Sequence, residues 1–112
     1  MSWKDNVYKV DRVTRQNVAH TILKQLGGNR FIAMTGAKTF ITTNTGIIFA
    51  IGRNSAKINK VVIDYNSGTD LYDIEFGRIR KNDYKKIKKV TGVYFDQLIP
   101  IFEKTTGLYT SL

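Results

Sequence analysis

Between Thr39 and Ile79 the chain alternates β-prone runs with connections too short to hold a crossover helix, a spacing that points to antiparallel strands in one sheet. The runs are Thr39 to Thr42, Ile47 to Ile51, Val61 to Tyr65 and Leu71 to Ile79. Between them lie Asn44-Thr45-Gly46, the polar loop Gly52 to Asn59, and Asn66-Ser67-Gly68. In the last run Tyr72, Ile74 and Phe76 alternate with Asp73, Glu75 and Gly77, the pattern of a sheet with one wet face. Upstream, Arg30 to Met34 reads as a further β-prone run, with Thr35-Gly36-Ala37 as a turn. Downstream, Tyr84 to Val90 reads as an edge-like strand whose lysines discourage pairing with other sheets.

Helices are expected at both ends. From Thr14 to Leu26, the residues Val18, Ala19, Ile22, Leu23 and Leu26 form one apolar stripe of 3.6-residue period. Thr14 or Asp11 can cap its first turn, and Gly27-Gly28 supplies a left-handed stop. A last helix is expected after Thr91-Gly92, carrying Tyr94, Leu98, Ile101, Phe102 and Thr105 on one side and ending at Gly107. Pro100 falls in its middle and is expected to bend or divide it. The fold class is therefore α+β: a single antiparallel sheet of about four to six strands flanked by an N-terminal and a C-terminal helix. The 112 residues make one domain, with 1–10 as a flexible arm.

Composition narrows the chemistry. With no cysteine there is no disulfide, thiolate metal site or cysteine nucleophile. The start MSWKDNVYKV has no apolar signal core, and no apolar run nears the ~18 residues of a membrane span, so a soluble protein without membrane partners is expected. Lysine and arginine number 18 against 9 acids, a net charge of +9. An even spread of such charge would serve solubility alone; a cluster implies a polyanionic partner.

Several stretches carry a resemblance. They are Leu26-Gly27-Gly28-Asn29-Arg30-Phe31-Ile32-Ala33-Met34-Thr35-Gly36-Ala37-Lys38 with Phe40, Ala56-Lys57-Ile58-Asn59, Leu71 to Gly77, and the ending Thr106 to Leu112. Together they resemble a family of small hypothetical proteins encoded by tailed bacteriophages and prophages, over most of residues 18–112. The resemblance implies a viral origin and action in the bacterial host cytoplasm, with virion association as a variant. It implies no substrate or activity.

The charge does cluster. Arg78, Arg80, Lys81, Lys85, Lys86, Lys88 and Lys89 fall within twelve positions that hold one acid, Asp83. As a strand, Tyr84 to Val90 places Lys86 and Lys88 on one face with Tyr84, and Lys85 and Lys89 on the other with Ile87. Such a ribbon can follow a phosphate backbone while Tyr84 stacks on a base. Contact with four to six phosphates of a single strand would give a log-affinity slope against log salt of roughly −3 to −4. Arg53, Lys57 and Arg30 widen the patch if folding brings them near. The plain alternative is a solvated, aggregation-resistant charge run.

Other candidates have structural explanations. Thr35-Gly36-Ala37-Lys38 lacks the glycine spacing and following hydroxyl of a phosphate loop, and Gly27-Gly28 follows a helix. His20, the only histidine, reads as a surface residue, so no metal and no cofactor are expected. Asp73 and Glu75, with Asp64 from the neighbouring strand, would be the carboxylates of a nuclease; cross-strand pairing with lysine explains them more simply. Phe31, Phe40, Phe49, Tyr72 and Phe76 are expected in the core, and Tyr65, Tyr84 and Tyr94 on a ligand face. The expectation is a non-catalytic, single-strand-preferring nucleic-acid-binding protein. The alternatives are a protein-interaction module that inhibits a host defence or replication factor by binding an acidic surface, and a virion or assembly component using Trp3 and Leu108 to Leu112 as subunit contacts. Unpaired sheet edges make a homo-oligomer compatible with each.

Overall fold

The computed structural model describes residues 17–111. The Thr14 and Asp11 caps, the arm 1–10 with Trp3, and Leu112 lie outside the described residues. Helix α1 occupies residues 17–26 and α2 Asn29–Thr35. Strands β1 (Lys38–Thr42), β2 (Gly46–Ala50), β3 (Lys60–Asn66), β4 (Leu71–Arg80) and β5 (Asp83–Val93) follow. A 3-10 turn, Phe95–Gln97, leads into α3, Leu98–Thr106. The strands form one antiparallel meander in the order β1-β2-β3-β4-β5, so the fold is α+β as the spacing implied. None of the described helices is long and apolar enough to cross a membrane.

The apolar face of the sheet is set by the period of two. Ile47 and Phe49 on β2, Val61 and Ile63 on β3, and Tyr72, Ile74 and Phe76 on β4 are all buried. Against them pack Ala19, Ile22 and Leu26 of α1, Phe31 of α2, and Leu98 and Phe102 of α3. Phe31 meets the Phe49 ring edge-on at 5.7 Å and the Phe102 ring at 5.1 Å, so the two short helices share one aromatic joint. The opposite face carries Ile48, Val62, Asp64, Asp73, Glu75 and Ile79, half-buried to exposed.

Two expectations are corrected. Arg30 to Met34 is not β structure but most of α2. Gly28 opens that helix and Gly36, at φ 70°, closes it with its amide on the Ile32 carbonyl at 3.0 Å. Phe31 and Thr35, four apart, give it a buried side, and the Thr35 hydroxyl donates to the Phe31 carbonyl at 2.7 Å. Gly27-Gly28 thus both ends α1 and starts α2. The last helix begins only at Leu98, because β5 runs on through Thr91 and Gly92 to Val93. Pro100 therefore stands in the first turn of α3, where its missing N–H costs no helical bond, and neither bends nor divides the helix. Tyr94 precedes the helix and is exposed, and Phe40, expected in the core, is 36 % exposed although its ring lies 5.4 Å from Phe49.

Candidate functional site

The ladder between β3 and β4 stops at the pair Lys60↔Gly77. Beyond it, Arg78 to Arg80 pair only with Asp83 to Lys85, so β4 and β5 leave the sheet as a two-stranded ribbon. Asn59 secures its root. The Asn59 amide nitrogen of the side chain donates to the Ile79 carbonyl at 2.8 Å, and its side-chain oxygen accepts from the Ile79 N–H at 2.7 Å. With its backbone N–H on the Gly77 carbonyl at 3.0 Å, this one residue lengthens the β3 edge by another rung. Lys81, at φ 57°, makes the tight turn with Asn82.

Two extra residues in β5 decide where the lysines point. The register shifts between the pairs Tyr72↔Val93 and Ile74↔Val90, and again between Phe76↔Lys88 and Gly77↔Lys86. Each bulge resets the alternation. Because paired residues share a face, Tyr84, Lys86 and Lys89 lie with Ile79, Gly77 and Glu75 on the helix-free side. Lys85 and Lys88 lie with Arg78 and Phe76 on the other. The simple alternation put Lys88 with Tyr84 and Lys89 with Lys85; the bulge at Ile87 exchanges the two.

Tyr84 is held flat. A Cβ on Gly77 would sit 2.2–2.4 Å from the Tyr84 hydroxyl and ring carbons, so the ring lies directly on that glycine. The hydroxyl donates to Glu75 at 2.7 Å, and the Lys60 ammonium stands over the ring, 4.7 Å from its centroid. Desolvation first, and then the bond to Glu75, push the Tyr84 hydroxyl up to about 12. The residue nevertheless stays 41 % exposed.

Arg53 and Lys57 join the ribbon. Loop 52–59 is folded around Asn54, whose side chain accepts from the Ile58 N–H at 3.1 Å and donates to the Gly52 and Ile58 carbonyls at 2.9 and 2.6 Å. Buried Ile58 pins it to the core. The result is a hollow lined by Arg53, Lys57, Asn59 and Arg78. Arg78 also lines the neighbouring hollow with Arg80, Lys81, Asp83, Tyr84 and Lys85. One basic surface thus runs from Lys57 to the tip, with Arg78 common to both parts. Arg30 lies on α2, among the residues of neither hollow.

Along this surface Arg78 faces Lys85 directly across the ladder. Like charges in that position destabilise a sheet. Elsewhere on the ladder acids stand opposite cations, Asp83 across from Arg80 and Glu75 across from Lys89, so Arg78–Lys85 is where two cations meet.

The carboxylates do other work. Asp64 accepts from the Thr45 hydroxyl at 2.9 Å, Asp73 from the Gly92 N–H at 3.1 Å, and Glu75 from Tyr84. They share the helix-free face but serve a turn, a bulge and a ring, and no group of three metal-ligating side chains forms among the described residues. His20 is exposed on α1. Tyr65 donates to Asp70 and packs on Tyr72 at 5.3 Å. Leu108 is half-buried and Thr110 buried, with Thr110 bonded through its N–H and hydroxyl to Glu103, so the tail packs on its own chain. Asn59, Lys60 and Gly77 escaped the sequence reading. A glycine inside an alternating strand was the available signal, since it marks a close approach. Comparison with family models, curated proteins and solved structures gave no match to the chain.

Proposed function

We propose that the chain is a non-catalytic nucleic-acid-binding protein that grips the phosphate backbone with the β4–β5 ribbon and loop 52–59. The observation that carries this reading is the Arg78–Lys85 pair, where the two basic hollows meet. A charge run kept only for solubility has no use for cations set opposite each other on the same ladder. A polyanion relieves that repulsion, and the free protein bears it as a cost of binding. The resemblance to small phage proteins supports the further proposal that the partner is met in a bacterial host cytoplasm.

Fluorescence anisotropy with labelled oligonucleotides at two salt concentrations tests the reading. The variant with Lys85, Lys86, Lys88 and Lys89 all changed to Gln is expected to bind at least about tenfold more weakly. Its log–log salt slope is expected to be shallower by about 3. Unchanged retention by this variant would refute the proposal.

A second reading, a protein-interaction module, is favoured by three aromatics away from the ribbon. Tyr94, Phe95 and Tyr109 are 63, 60 and 71 % exposed. Affinity capture from host lysate, with and without nuclease, separates the two. A partner that survives nuclease and is lost on Tyr94→Ser and Phe95→Ser supports this second reading.

A further inference from the structure

Resting on the nucleic-acid reading of the same ribbon, we infer that its ligand is double-stranded DNA, entered through the major groove, and not a single strand.

The first argument is size. From Gly77 to Arg80 the ladder is two strands wide for three residues, roughly 10 Å at the rise of a strand, with Asn59 alongside it as far as Ile79. The major groove of B-form DNA is about 8.5 Å deep and about 12 Å wide, and it admits a two-stranded ribbon. The second is the distribution of charge. A single strand offers one row of phosphates and needs one cationic face. A groove has a row on each wall. The ribbon carries cations on both faces, with Lys85 and Lys88 on one and Lys86 and Lys89 on the other.

Depth adds a third argument. The lysines of β5 begin at the root, level with Phe76 and Gly77, where they would meet phosphates at the groove's rim. Arg80 and Lys81 stand at the tip, where they would meet base edges. Arginine's fork suits guanine's two major-groove acceptors, whereas lysine suits phosphate as a point charge. The fourth argument is what the ribbon lacks. Its single aromatic, Tyr84, lies on Gly77 and has the Lys60 ammonium 4.7 Å from its centroid, so the ribbon offers one ring and not the row of rings on which sequence-tolerant single-strand binding depends. A double-stranded RNA is disfavoured because its major groove is too deep and narrow for side chains to read.

The test uses the full chain and three labelled ligands of one sequence: duplex DNA of about two helical turns, its single strand, and the RNA duplex. Anisotropy titrations at equal salt are expected to rank duplex DNA first by about tenfold or more. With six phosphates contacted, the log–log salt slope is expected near −5. The double variant Arg80→Gln, Lys81→Gln changes only exposed side chains at the tip and is expected to lower duplex affinity by about tenfold. Single-strand or RNA binding as tight as duplex DNA would overturn this inference and leave the nucleic-acid reading standing. Binding to none of the three at low salt would overturn both.

Discussion

The β4–β5 hairpin is two different structures along one pair of strands. Its basal half, Tyr72 to Phe76, alternates buried and half-buried residues under the helices. Its distal half, from Ile79 through Lys89, is exposed throughout. The basal half is ordered by burial. The distal half has no core beneath it and is ordered by the ladder, by the side chain of Asn59 and by the Tyr84 ring laid across Gly77. Three local devices take the place of a hydrophobic face, and this is what lets the ribbon present cations on both sides.

The sharpest contrast should come from Phe76→Ala at the boundary. Phe76 is fully buried, and its loss should cost about 3–5 kcal/mol in denaturant unfolding, whereas the four-lysine glutamine variant should stay within about 0.5 kcal/mol of the parent. Gly77→Val comes next. Any side chain there evicts Tyr84, and a loss of about 1–3 kcal/mol is expected, with the phenol titrating back toward 10.0 in an alkaline absorbance titration. Asn59→Ala should cost about 1–2 kcal/mol by removing two bonds at the ribbon's root. Hydrogen exchange should quicken at Ile79 while Ile74 stays protected.

Tyr84→Phe is expected to be milder, about 0.5–1.5 kcal/mol for the bond to Glu75. It also carries a pH signature. The folded Tyr84 keeps its proton to about 12, whereas the unfolded phenol releases it near 10.0. Its stabilisation is therefore full below about pH 10 and lost as pH rises to about 12. The phenylalanine variant should lack that part of the alkaline loss in denaturant midpoints. The smallest effect has the opposite sign. Lys85→Glu replaces a repulsive partner of Arg78 and should stabilise the free protein by about 0.2–1 kcal/mol while weakening oligonucleotide binding. A destabilised Lys85→Glu protein would mean that the Arg78–Lys85 repulsion is not felt.

The basal half was legible in the sequence and the distal half only partly so. Tyr72, Ile74 and Phe76 announce their face by alternation, because burial on one side leaves a period of two. The lysines of β5 have no buried partner to fix their phase, and two extra residues shift it without a pattern to show where. The short α2 was missed for a related reason. Phe31 and Ile32 favour strands, and seven residues hold only two buried positions; the glycines at 28 and 36 were the better guide. Arg53 and Lys57 were gathered to Arg78 by the hydrogen bonds of Asn54, which no charge pattern reveals.

Backbone amide shifts recorded by NMR during titration with the DNA duplex test the central claim most directly. The account predicts perturbations concentrated at Arg53, Lys57 and Arg78 to Lys89, with α1 and the Tyr94–Phe95 corner silent. Shifts centred on Tyr94, Phe95 and Tyr109, with the ribbon unmoved, would contradict it.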